Sequence, residues 1–303
     1  MTGGCAPATT IGALLCEGGE VLRAAGVEEA RRESRLLLAL ALGRDAAGLL
    51  AAARDPVAEP RTPHASAPSL RRRAAREPFA HIAGRRGFWT LELAVSPAVL
   101  VPRPETETLV EAALALRPDR AAVRRIVDLG TGSGALLLAA LAEYPEAIGL
   151  GVDRSAAALD IARRNAAAAG LAARALFAAR RLVVCARPRL GRSPPLQPAL
   201  CPDRGDRLAS RLRCATTSLA PLSMEGRRGF PPIAPCCPTF RGCSRQGGVA
   251  IVEVGIGQAD AVAALGVAAG LALLEMRQDL GGIPRAIAFG NAEKGVGVGA
   301  LSD

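Results

Sequence analysis

The stretch Arg125-Ile126-Val127-Asp128-Leu129-Gly130-Thr131-Gly132-Ser133-Gly134, continued by Ala135 to Tyr144, decides the fold. An apolar, β-type run is followed by three alternating glycines. An Ala- and Leu-rich segment without β-branched residues comes next. The order reads as strand, tight turn, helix. A second unit repeats it: Ile148 to Asp153 as a strand, then Ala156 to Ala169 as a helix. Asp153 or Ser155 is available to cap that helix, and Gly170 to end it. Two consecutive strand–helix units require a parallel sheet with helical crossovers, because parallel strands cannot be joined by a short turn.

The glycine turn, Gly130 to Gly134, is a candidate ligand site. Glycine lets the backbone approach a ligand closely, in conformations other residues resist. The helix that follows begins with unpaired amides. Asp153 closes the next strand, where an acid can accept both hydroxyls of a ribose. These features describe a nucleoside-cofactor crevice at the carboxyl ends of parallel strands. The glycine spacing is GxGxG, whereas a dinucleotide site calls for GxGxxG. Asp128 sits at the strand end, where an acid suits a cation better than a pyrophosphate. S-adenosylmethionine, with its sulfonium and ammonium groups, fits that preference; a nicotinamide cofactor is the alternative. No Gly-Lys-Ser/Thr follows, which excludes a Walker loop.

On the amino-terminal side, Ile11 to Ala53 reads as helices ended near Gly26 and Gly43. Pro56 to Pro68 reads as a loop, and Arg71 to Arg76 as the start of a short helix with Arg71, Arg72 and Arg73 on a solvated face. Phe88 to Val95 is aromatic and partly alternating, as in a strand or hairpin arm. Glu105 to Leu116 is helical, with Pro104 favourable in its first turn. On the carboxyl-terminal side, Gly248 to Val254 is a buried-type strand and Gln258 to Ala269 a helix. Leu273 to Gln278 and Arg285 to Phe289 are strands around Gly281-Gly282. Between Phe177 and Gln246 only Leu182-Val183-Val184 reads as an element.

The chain has 303 residues, is half hydrophobic and carries a formal charge of +10. That allows one large domain or two modest ones with a real core. No apolar run approaches the roughly 20 residues needed to span a bilayer, so neither a membrane anchor nor a secretory route is expected, and the cytoplasm is the expected compartment. The positive charge is local. Residues 174–245 hold fourteen Arg and three acids, whereas the rest of the chain is balanced to within one charge. That segment is rich in Pro and poor in aromatics, unlike an ordered nucleic-acid face, so direct nucleic-acid binding is not expected. Six of the eight Cys lie between Cys185 and Cys243 without a CxxC pair. Such spacing is poor for a tetrahedral zinc site, and no metal site is assigned.

Several segments together resemble the protein-glutamine N-methyltransferases that modify peptide chain release factors. These are Arg76-Glu77-Pro78 with Ile82, Gly84 and Phe88-Trp89; Val101-Pro102-Arg103-Pro104-Glu105-Thr106-Glu107; Asp128 to Gly134; Gly247-Gly248; and Asp279-Leu280-Gly281-Gly282-Ile283-Pro284-Arg285. The resemblance covers roughly residues 11–176 and 247–290. It implies an α/β fold, a Rossmann-like class I methyltransferase sheet in residues 85–303. It also implies a small helical substrate-recognition domain in residues 1–84. Gly130, Thr131, Gly132, Ser133 and Gly134 would line the methionine and adenosine moieties of S-adenosylmethionine, and Asp153 would take the ribose. Arg103 would sit near the active site. The substrate would be the glutamine of a Gly-Gly-Gln loop in a release factor. Other class I N-methyltransferases, acting on nucleic acid or a ribosomal protein, are the nearest alternative, and a nicotinamide-dependent dehydrogenase a more distant one.

One departure is chemical. The family carries Asn-Pro-Pro-Tyr, whose Asn side chain and a Pro carbonyl hold the planar substrate amide, so that positioning drives transfer. This chain has no such motif, and Asn165 and Asn291 are its only asparagines. No catalytic residue is therefore assigned. A shifted reading frame accounts for the loss. Leu196 to Pro202 can be written in codons as CTC CAA CCC GCC CTA TGT CCC, and that choice, read one base later, spells Ser-Asn-Pro-Pro-Tyr-Val. Out-of-frame GC-rich codons also yield Arg, Pro and Cys. A strand cannot be built readily from such a segment, because Pro donates no ladder bond and buried charge needs a partner. Residues 178–246 are expected to be irregular and the chain unstable or inactive as written.

Overall fold

The computed structural model describes residues 10–57, 62–179 and 248–291. It divides into two compact units, Met1–Arg86 with Val95–Pro97, and Gly87–Ala94 with Ala98–Asp303.

The first unit is helical: α1 (Ile11–Ala24), α2 (Ala30–Leu42), α3 (Gly48–Ala51), α4 (Thr62–Ala74) and α5 (Phe79–Ala83). Thr10 caps α1, its hydroxyl accepting from the Ala13 amide at 3.2 Å. Gly43 ends α2 in the left-handed conformation, φ 62°, which glycine adopts without steric penalty. Helices α1 and α2 pack closely at Gly18. A Cβ there would lie 2.4 Å from Ser34 Oγ, and that hydroxyl donates to the Leu15 carbonyl at 3.0 Å. Leu22, Val27, Leu37 and Ile82 form one apolar cluster and Ile11, Leu38 and Leu49 another.

Two expectations fail in this unit. The Pro56–Pro68 loop is overtaken by α4, which begins at Thr62 and carries Pro68 inside it. Pro63 is harmless in a first turn, where the amide has no partner anyway. The cost of Pro68 is offset by packing, since Leu70 and Ala74 rest against the Leu22 cluster. The basic run is also not a uniformly solvated face. Arg73 reaches Glu33 of α2 through Nε and, at 3.0 Å, Nη2, and Arg72 donates to Glu77 at 2.7 Å.

Strands β1 (Arg85–Phe88) and β2 (Leu91–Ala94) pair as a hairpin. In the second unit a 3-10 turn, Pro104–Thr106, leads into α6 (Glu107–Leu116). Then come β3 (Arg125–Leu129), α7 (Ala135–Glu143), β4 (Ile148–Asp153), α8 (Ala156–Ala168) and β5 (Ala175–Ala179). Strands β3, β4 and β5 form a parallel sheet in that order, Asp128 paired with Gly151 and Gly151 with Phe177. After the undescribed residues come β6 (Ala250–Glu253), α9 (Ala259–Ala268), β7 (Leu271–Gln278) and β8 (Pro284–Asn291). These last strands form an antiparallel sheet ordered β6-β8-β7.

Gly149 in β4 lets α7 lie close on the sheet. A Cβ at Gly149 would come within 2.7 Å of Leu137 and 2.9 Å of Leu141. Arg174 completes this packing by donating to the Leu141, Tyr144 and Ala147 carbonyls at 2.8–3.0 Å. A guanidinium at a helix carboxyl end satisfies orphan carbonyls and opposes the dipole. Arg174 therefore belongs to the ordered sheet layer, although composition alone groups it with the basic segment. Phe88, Leu93, Ile126, Leu137, Leu138 and Tyr144 build one core cluster, and Val252, Val262, Ile287 and Phe289 another.

Strand β5 corrects a boundary. Ala178 and Ala179, expected to be irregular, are its last two residues. Ala-Leu-Phe-Ala-Ala has little intrinsic β preference; pairing with β4 makes it a strand. Residues 180–246 of the same segment, with Leu182-Val183-Val184, lie outside the described residues. The closing sheet is antiparallel because a tight turn joins β7 to β8. Asp279 accepts there from the amides of Gly281 and Ile283 at 2.9 and 3.0 Å and from Arg285 Nε at 2.9 Å.

Candidate functional site

The turn after β3 is shaped by positive φ at every second residue: Gly130 at 81°, Gly132 at 53° and Gly134 at 83°. The Gly130 and Thr131 amides both donate to the Val152 carbonyl, at 2.8 and 3.0 Å. The Gly134 amide closes the turn onto the Thr131 carbonyl at 2.7 Å. Asp153, at the end of β4, accepts from the Gly132 amide at 2.9 Å with one oxygen and from the Ser155 amide at 2.9 Å with the other. Each carboxylate oxygen keeps a further lone pair for a hydroxyl. Ser155 then caps α8, accepting from the Ala158 amide at 3.2 Å. The turn thus brings Gly130, Thr131, Gly132, Ser133, Gly134 and Asp153 together.

Asp128 is buried to 2% exposure and accepts from the Thr131 hydroxyl at 2.7 Å. Burial raises its carboxyl to about 7, against the Thr131 hydrogen bond and with a small push from the Asp153 charge. A cation brought to this strand end would favour the ionised form.

The first two glycines of the turn have no close neighbour where a side chain would stand. A Cβ built on Gly130 would meet nothing within 4 Å, and one on Gly132 only the Gly130 carbonyl at 3.9 Å. Gly134 differs, since its Cβ would meet Ala162 and Leu138 at 3.3 Å. The first two glycines therefore suit a close ligand and the third suits helix packing. A separate cavity of about 20 Å³, lined by Val110, Ile126, Asp128, Leu137 and Ile251 among others, is far too small for a nucleoside. Among the described residues no group of His, Cys, Asp and Glu could hold a metal, and no helix is long and apolar enough to cross a membrane.

The segment Pro102 to Glu107 acts as a fastener. Thr106 donates to Glu253 Oε1, at the end of β6, at 3.0 Å. Burial raises the Glu253 carboxyl, opposed by that hydrogen bond and by the charge of Arg103. Glu107 accepts from the Trp89 amide at 2.8 Å, and Glu143 from the Trp89 indole at 2.8 Å. Trp89 is in the left-handed region, φ 53°, a costly conformation for a bulky residue. Two carboxylates hold it there.

Asn165 of α8 was not legible as a site residue. It is 2% exposed and its Nδ2 donates to the Ser133 carbonyl at 2.8 Å. Its carboxamide also brackets the Ala94 backbone, accepting at 2.7 Å and donating at 3.0 Å. The available signal was one amide on the face of α8 that otherwise buries Ala158, Leu159, Ile161, Ala162 and Ala166.

Known proteins resemble this chain over most of its length. A release factor glutamine methyltransferase of Rhodospirillum rubrum is 39% identical over 283 residues, which cover 92% of this chain and 85% of that protein. The chain belongs to the release factor glutamine methyltransferase family. The enzyme of that name from Bradyrhizobium diazoefficiens is 40% identical over 272 residues, 88% of this chain and 90% of that one. Residues 13–84 match the family described as PrmC N-terminal domain, and residues 106–181 the family described as methyltransferase small domain. Family membership makes the second unit a class I methyltransferase fold. A release-factor-specific protein-(glutamine-N5) methyltransferase from Alicyclobacillus acidocaldarius superposes with a TM-score of 0.36 and 24% identity, over 64% of this chain and 96% of that one.

Proposed function

We propose that this chain descends from, and carries the cofactor site of, an enzyme that methylates the side-chain amide nitrogen of the glutamine in a Gly-Gly-Gln loop of peptide chain release factors. The observation that carries the reading is the turn from Asp128 to Gly134 in a member of this family. Open space over Gly130 and Gly132 accommodates S-adenosylmethionine, and the acid at the strand end suits its positive charge. When bound, that cofactor supplies an activated methyl group on sulfur. In this reading Gly130, Thr131, Gly132, Ser133 and Gly134 line it and Asp153 accepts from the ribose hydroxyls. Residues 1–84 form the unit that recognises the release factor, and residues 85–303 the methyltransferase. A translation-termination substrate puts the protein in the cytoplasm.

The amide-holding step is where this chain departs. Without Asn-Pro-Pro-Tyr, no described residue is assigned to orient the substrate amide, and orientation is the main source of rate in such a transfer. The sequence as written therefore retains cofactor binding and loses most of the methylation. Tritium transfer from labelled S-adenosylmethionine to a purified release factor tests this, comparing the chain with a frame-corrected version. A labelled glutamine with the corrected version and little with the other is expected. Absence of transfer by both, or equal transfer by both, contradicts the reading.

A further inference from the structure

We infer that Asn165 is a positioning residue for the cofactor turn, holding its backbone from behind through one carboxamide that also grips the hairpin strand β2. This rests on the cofactor reading above. The turn is a poor candidate to hold itself. Gly130, Gly132 and Gly134 all sit at positive φ, where glycine has the greatest freedom to lose on ordering. The described bonds to Val152 and Asp153 restrain Gly130 to Gly132. Ser133 follows them, and its carbonyl is taken by Asn165 Nδ2 at 2.8 Å.

The geometry leaves the carboxamide little freedom. Its oxygen accepts from the Ala94 amide at 2.7 Å, and its nitrogen donates to Ala94 and Ser133 carbonyls at 3.0 and 2.8 Å. Both amide hydrogens and one oxygen lone pair are thereby used in a site closed to water. Asp153, which meets Gly132, ends β4 and also accepts from the Ser155 amide, and Ser155 caps α8, so the group that meets Gly132 is tied directly to the helix that carries the group that meets Ser133. A displaced Asn165 would free the Ser133 carbonyl and leave backbone bonds such as that from the Gly134 amide to Thr131 to hold the end of the turn alone. The residue is buried and all three of its bonds go to backbone, so its effect is on the preorganisation of the turn.

Asn165→Asp separates positioning from packing, because it keeps the side-chain volume and the acceptor for Ala94 while replacing both donors. Two carbonyls would then face an oxygen. Calorimetric titration of the full chain with S-adenosylhomocysteine measures the outcome, together with thermal unfolding of the same samples. Arg174→Met, which loosens the same unit at the far end of α7, serves as the reference for a purely structural loss. Asn165→Asp is expected to weaken cofactor binding about 10-fold or more beyond the change in Arg174→Met. Asn165→Ala is expected to weaken it at least as much. Equal affinities in the Asn165 and Arg174 variants overturn the inference alone. Failure of the unmodified chain to bind the cofactor overturns the cofactor reading and this inference with it.

Discussion

Removing the charge of Asp128 should stabilise the second unit at neutral and alkaline pH and leave it nearly unchanged in acid. Burial raises this carboxyl from 3.8 to about 7. The folded state therefore holds a proton that the unfolded chain has already released. Its stabilising contribution is full below the unfolded value, falls as pH rises, and is gone above about 7. The contribution lost is on the order of 4 kcal/mol in total, and more than half of it falls between pH 5 and pH 8. Asn at position 128 keeps an acceptor for the Thr131 hydroxyl and has no charge to desolvate. Urea unfolding followed by tryptophan fluorescence measures the effect. Trp89 is the only tryptophan and is held by Glu107 and Glu143 of the same unit, so it reports on this unit. The gap between Asp128→Asn and the parent should widen with pH by roughly that amount. Two stability curves that run parallel from pH 5 to pH 8 would show that Asp128 is ionised without cost, and the burial argument would be wrong.

Gly130→Ala has space for its methyl group but must sit at φ 81°. It should cost about 1–2 kcal/mol of stability and abolish calorimetric binding of S-adenosylhomocysteine; unchanged affinity would remove Gly130 from the site. Gly266→Ala places a methyl group 2.2 Å from Phe289 on β8. Overpacking of this kind costs about 1–3 kcal/mol, seen as a lower urea midpoint, and a neutral result would mean that α9 is free to shift. Arg174→Met leaves the Leu141, Tyr144 and Ala147 carbonyls without their shared donor. A loss of about 1–3 kcal/mol is expected, and loss of less than a few tenths would place those carbonyls in water.

The strands and helices around the turn were legible because their signals are local. Arg125–Leu129 and Ile148–Asp153 are apolar runs of strand length, and Gly170 stops α8 as its chemistry predicts. The conformation of the turn was legible for the same reason, since few other residues accept its dihedrals. What the chain does not announce locally came from contacts between distant residues. Helix α4 forms across two prolines because its apolar residues find a core. Strand β5 forms from alanines because β4 lies beside it. Arg174 and Asn165 look like one more arginine and one stray amide. Only the folded chain puts them within 3 Å of carbonyls that lie about thirty residues away. Local chemistry thus determines which segments are strand, turn or helix, whereas the partner of a buried polar group depends on which backbone atoms the packed layers leave unpaired, and that is a property of the tertiary structure.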